Sequence, residues 1–193
     1  WAGCSAHGAE NLMQAPAPQL RSAGSDPAQR CADRINAAQP LAVAARFQRP
    51  MDARLVLAAA QQLQVAAREC DPSERAALLT QAVDVLDGGQ NRTDRQSVIV
   101  AAADAHAQLA ALTNDSSHWD RAIELATDIT QRDPRGIASW RNLGDILWAA
   151  GRRTDAASAY EQALRNSDTF ALDELKQLSA KGREAIMLRI VGA

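Results

Sequence analysis

The side chains here that can ligate a metal or act as nucleophile or base are three cysteines, three histidines and a scatter of carboxylates. Metal sites need such ligands at spacings that bring them onto one helix face or one turn. His7, His106 and His118 are far apart with no H-x3-H, and Cys4, Cys31 and Cys70 form no Cys-x2-Cys pair. The spacing therefore predicts no metal and no cofactor. Nucleophilic catalysis finds no support either, since G-x-S-x-G, a Gly-rich phosphate loop and H-E-x-x-H are all missing. Neighbouring carboxylates such as Asp173 and Glu174 read as solvated helix surface. No catalytic residue is assigned, and the chain is expected not to be an enzyme. His118, beside Trp119 and Asp120, reads as an exposed residue at a helix start, and His106 as one packed on a neighbouring helix.

The chemistry that remains belongs to the thiols. Cys31 stands one turn before Ile35 and Cys70 one turn after Ala66, each on the apolar side of its helix. If those helices pack antiparallel, a disulfide is within reach, and an extracytoplasmic compartment would permit it. Two small buried thiols fit the same pattern.

Those residues must be positioned by helices. Alanine makes up about a fifth of the 193 residues and aromatics only 4%, a composition that favours closely packed helices over a sheet core. A chain of this length suits one domain, or one domain plus an arm, and can bury about 70% of its unfolded surface. The net charge of −2 offers no basic surface to nucleic acid or anionic lipid. No run of 18 apolar residues exists to span a bilayer. Among the basic residues only Lys176 and Lys181 are lysine, a bias associated with GC-rich bacterial genomes.

Residues 1–25, with Ala-Pro-Ala-Pro and scattered Ser and Gly, read as an extended arm or linker. Asp26-Pro27-Ala28-Gln29 then starts a helix, with Asp26 as N-cap and Gln29 closing a capping box. Pro40 should end it near Gln39, leaving a shorter turn over Leu41 to Phe47. The next helix, about Asp52 to Glu69, places Val56, Ala59, Leu63, Ala66 and Cys70 on one face. Asp71-Pro72 opens a further helix that should stop at Gly88-Gly89. Helices are expected over about Asp94–Leu112 and Trp119–Arg132, and a last one over roughly Ser179–Ile190.

Between these lies the most specific pattern. Trp140, Leu143, Gly144 and Leu147 are followed by Gly151, then Ala156, Tyr160 and Ala163. This spacing resembles the tetratricopeptide (TPR) repeat, W-x2-L-G-x2-Y then A-x3-F then P, of bacterial type. It departs from it at Leu147, in place of an aromatic, and at Asp168, in place of the closing proline. Trp140, Leu143 and Leu147 share one stripe, Gly144 and Ala156 allow close approach, Gly151 ends the first helix, and Thr154 is the expected N-cap of the second. Ala76, Ala122 and Ala156 fall in register, the last two separated by the 34-residue TPR period. The resemblance implies repeats at about 52–90, 94–136 and 137–170, with helices 26–39 and 179–190 as caps. The expected fold is all-α: antiparallel hairpins stacked as a short TPR-like right-handed solenoid over residues 26–193.

By the same resemblance, Arg141, Asn142, Asp145 and Trp148 line a concave partner-binding groove. The implied function is a non-catalytic interaction scaffold or assembly subunit that binds a protein partner or copies of itself, outside the cytoplasm (periplasmic or at the cell surface). Ala2-Gly3-Cys4-Ser5 resembles the end of a bacterial lipobox, so membrane association is expected only through a lipid on Cys4 or an upstream anchor. The alternative is the soluble C-terminal tail of a larger membrane enzyme, because Leu172-Asp173-Glu174-Leu175-Lys176-Gln177-Leu178 is similar to the TPR-bearing ends of O-antigen polymerase and ligase-like proteins.

Overall fold

A computed structural model describes residues 26–47, 52–90, 96–170 and 177–192. The expected arm 1–25, with Cys4 and His7, lies outside the described residues, as does much of the Leu172–Leu178 stretch. The described residues form eight helices and no strand, so the fold is all-α, built from packed neighbouring helices. They group into two compact units, one ending at Thr113 and the other beginning at Asn114. The two helices of the expected 94–136 repeat fall on either side of that division.

The first unit holds α1 (Pro27–Phe47), α2 (Ala53–Glu69), α3 (Pro72–Gln90) and α4 (Gln96–Thr113). Each packs on the next, α1 also meets α3, and α2 also meets α4. Cys70 and Asp71 alone connect α2 to α3, a link short enough to force an antiparallel hairpin. Asp52 caps α2 by accepting the Arg54 N–H at 2.9 Å. The predicted α2 face is the core: Val56, Ala59, Leu63 and Ala66 are wholly buried.

Local expectations are revised at three places in this unit, and at Pro40 it is packing that overrides the local signal. Pro40 does not end α1 but lies inside it. Contacts on both sides of the proline hold the helix together: Arg34 to Glu69 at 3.3 Å, Gln39 to Gln81 at 3.0 Å and Arg46 to Asp84 at 3.3 Å. Burial of Ala38, Ala42 and Ala45 adds to them, and together they outweigh one lost backbone bond. Gln29 closes no capping box, since its amide donates forward to Asp33 at 2.8 Å. Gly88 and Gly89 do not stop α3, which runs to Gln90. Gly89 is a contact point instead, where a Cβ would lie 2.5 Å from Val56 Cγ1 of α2. Ala76 is only half-buried, unlike the wholly buried Ala122 and Ala156.

The second unit holds α5 (Ser116–Arg132), α6 (Ile137–Ala149), α7 (Arg153–Asp168) and α8 (Ala180–Val191). Asp115 caps α5, accepting the Ser117 N–H at 2.9 Å, and hydrogen bonds from Ser117 hold its carboxyl below the usual range. Helix α6 ends in a Schellman turn at Gly151, whose φ of +78° a side chain would disfavour. The Arg152 N–H reaches Leu147 O at 2.9 Å and the Gly151 N–H reaches Trp148 O at 3.1 Å. This turn starts α7 two residues earlier than expected. The N-cap position is Arg152, not Thr154, and Arg152 instead pairs with Asp155.

The α6–α7 hairpin closes on small residues. A Cβ on Gly144 would lie 2.6 Å from the Tyr160 ring, and Ala156 and Ala163 are wholly buried. Trp140 and Asn166 both donate to the Pro134 carbonyl, at 2.8 and 3.0 Å, tying the α5–α6 turn to each helix of the hairpin. Asp168, the departure from the repeat pattern, has its own use: it accepts from Arg183 of α8 at 2.6 Å. Ser179 caps α8 by accepting the Gly182 N–H at 3.1 Å.

Candidate functional site

Helix α6 carries the four residues assigned to the groove, and the second unit surrounds them unevenly. Arg141 is exposed, with its Nε 3.8 Å from Asp145 Oδ2 one turn on. Asn142, the next residue, is half-buried. Asp145 accepts the Tyr160 hydroxyl at 2.8 Å and also the Arg189 guanidinium of α8. Trp148 lies between α7 and α8: the Arg153 guanidinium of α7 sits 3.7 Å from its ring centre, Arg189 of α8 lies 5.8 Å away, and a Cβ on Gly192, just past α8, would lie 3.9 Å from the ring edge. Asp145 and Trp148 thus help seat the last helix, whereas Arg141 faces outward.

Tyr160 is the buried base of this cluster. Desolvation pushes its phenol well above the ordinary range, helped by the hydrogen bond to Asp145 and that carboxylate's charge; Arg189 pulls the other way. Such a phenol is a structural donor and no base at neutral pH.

Two clefts flank Arg141. One, of about 350 Å³, lies between α6 and α8 and gathers Arg141, Lys181 and Arg189 around the single carboxylate of Asp145. The other, of about 500 Å³, has Ile137, Ala138, Phe170 and Leu178 among its lining residues and shares Arg141. Gln177 closes its rim by donating to Phe170 O at 2.7 Å, and the Leu178 N–H donates to Ser167 Oγ at 3.0 Å. A positive cleft beside an apolar one can take an extended segment bearing a carboxylate next to an apolar side chain.

The helix register places Arg141, Asn142, Asp145 and Trp148 together on α6, while nothing in the sequence points to Lys181 and Arg189 beside them. Arg189 is 44 residues from Asp145, and no local periodicity links positions so far apart. In the first unit, Cys31 Sγ and Cys70 Sγ are bonded at 2.06 Å. His106 is buried with Nε2 3.3 Å from Asp87 Oδ2, which links α3 and α4. His118 is half-buried at the start of α5.

No protein-family model matches the chain, and no curated protein does. Among solved structures, the one titled "Crystal structure of MamA protein" is similar at 19% identity, covering 78% of this chain and 86% of that chain. Its TM-score of 0.38 is too loose to carry an argument about function.

Proposed function

We propose that the chain is a non-catalytic protein-interaction scaffold or assembly subunit, made of TPR-like hairpins, that holds its partner at the clefts beside α6. The observation that carries this reading is the shared position of Arg141 between a cationic cleft and an apolar one. Three cationic side chains share one cleft with a single carboxylate, a balance that favours an acidic segment. The TPR reading of 137–170 rests on the close approach of Gly144 to Tyr160, the buried Ala156 and the Schellman turn at Gly151. An extracytoplasmic location is part of the proposal and is supported by the Cys31–Cys70 bridge.

Selection from a random peptide library tests it. Wild type should enrich peptides with an acidic residue beside an apolar one, and Arg141→Glu with Lys181→Glu should lose them by about tenfold or more. Recovery of the same peptides by the double variant would remove the clefts from the function.

A further inference from the structure

Three successive helices bring potential metal ligands to one corner of the first unit. Cys31 comes from α1, Cys70 ends α2, and Glu74 sits in the first turn of α3. Their sulfur and carboxylate atoms all lie within 4.8 Å of one another. Both cysteines are 5% exposed, while Glu74 is on the surface and leaves the corner open to an entering ion. Arg75 fixes the corner by donating to the carbonyls of Ala67 at 2.9 Å and Cys70 at 3.2 Å.

Glu74 Oε2 lies 3.1 Å from Cys31 Sγ. In the oxidised protein that sulfur has no proton to give, so an acceptor faces an acceptor. The contact makes chemical sense with a thiol proton or a cation between the two atoms.

We propose that, when the bridge is reduced, Cys31, Cys70 and Glu74 form a site for a zinc-like divalent cation. A dithiol supplies the reduction: one of its thiolates attacks the bridge to give a mixed disulfide, and its second thiol resolves it. Two electrons and two protons pass to Cys31 and Cys70, and the dithiol leaves as its own disulfide. Metal binding then releases both thiol protons and leaves two thiolates and one carboxylate on the ion. Tetrahedral zinc bonds of ~2.3 Å to sulfur and ~2.1 Å to oxygen place ligand atoms roughly 3.4–3.8 Å apart. Opening the bridge reaches that spacing without moving the helices far, because the two Cα atoms are already 5.0 Å apart. Two soft thiolates and one carboxylate suit zinc over magnesium or calcium, with water at the fourth position. The ion then ties α1 to the α2–α3 corner in place of the covalent bond.

The test uses the full chain carrying Cys4→Ser, so that Cys31 and Cys70 are the only thiols. The protein is reduced with a phosphine, freed of reductant without oxygen and titrated with Co²⁺. One equivalent should produce thiolate-to-cobalt absorption and the intense visible bands of a tetrahedral ion, both abolished by one equivalent of Zn²⁺. Glu74→Gln, a surface change that leaves the helices intact by circular dichroism, should weaken binding by about tenfold or more. Cys70→Ser should lose the thiolate absorption, and the oxidised chain should bind nothing. Reduced protein without these bands, equal binding by the oxidised chain, or unchanged affinity in Glu74→Gln would each overturn the proposal.

Discussion

Tyr160 joins the packing of the second unit to its polar cluster: its ring lies under Gly144 and its hydroxyl donates to Asp145. Because the folded phenol titrates above its ordinary value near 10, the stability it contributes is fully present below that pH. It is lost as pH rises through the folded value. This is the chain's single tyrosine, so tyrosinate absorbance reads it directly. The native protein should titrate at higher pH than the same chain in denaturant, and a coincident pair of curves would contradict the burial described. Gly144→Ala should cost about 1–3 kcal/mol, measured by urea unfolding, since the added methyl meets a ring with no room to move.

Helix ends and interiors differ in how far their local residues decide them. Asp52, Asp115, Ser179 and Gly151 act within a few residues of themselves, by a cap or a positive φ. Gly151 is legible as a helix end, but Asp115 is passed over, the helix being expected only from Trp119, and the cap expected at Thr154 falls two residues earlier at Arg152. Pro40 carries an equally strong local signal, yet α1 continues through it because packing on α2 and α3 decides the outcome. No neighbouring residue announces that packing. Pro40→Ala should therefore stabilise the first unit by about 1 kcal/mol or more, by restoring a backbone donor inside a helix that already exists. A raised thermal midpoint checks it. The site divides in the same way. Arg141 and Asp145 are one turn apart on a single helix, whereas the guanidinium that engages Asp145 arrives from α8. Trp148→Ala removes the surface against which Arg189 and the end of α8 rest. The expected result is faster amide exchange along α8, by a local loss of about 1–2 kcal/mol, with α5 unchanged.

The chain's two units are fastened differently. In the first, a covalent bridge spans a sequence separation of 39; the second contains no cysteine and is held by non-covalent contacts. Chain-entropy reasoning assigns a loop of that length about 3–4 kcal/mol. Reduction in the presence of a chelator should lower protection of α1 and α2 amides by that amount in native-state hydrogen exchange, while α6 and α7 keep theirs. Equal loss in both units would mean that they unfold as one.

The chromophores are just as unevenly shared. Trp119, Trp140, Trp148 and Tyr160 all belong to the unit that begins at Asn114, and the described part of the other unit has no tryptophan or tyrosine. Emission from Trp119, Trp140 and Trp148 therefore reports on events in the second unit. A ligand of the corner at Cys31 and Glu74 meets no tryptophan or tyrosine among the described residues of its own unit, so a screen for it calls for a readout such as cobalt absorption.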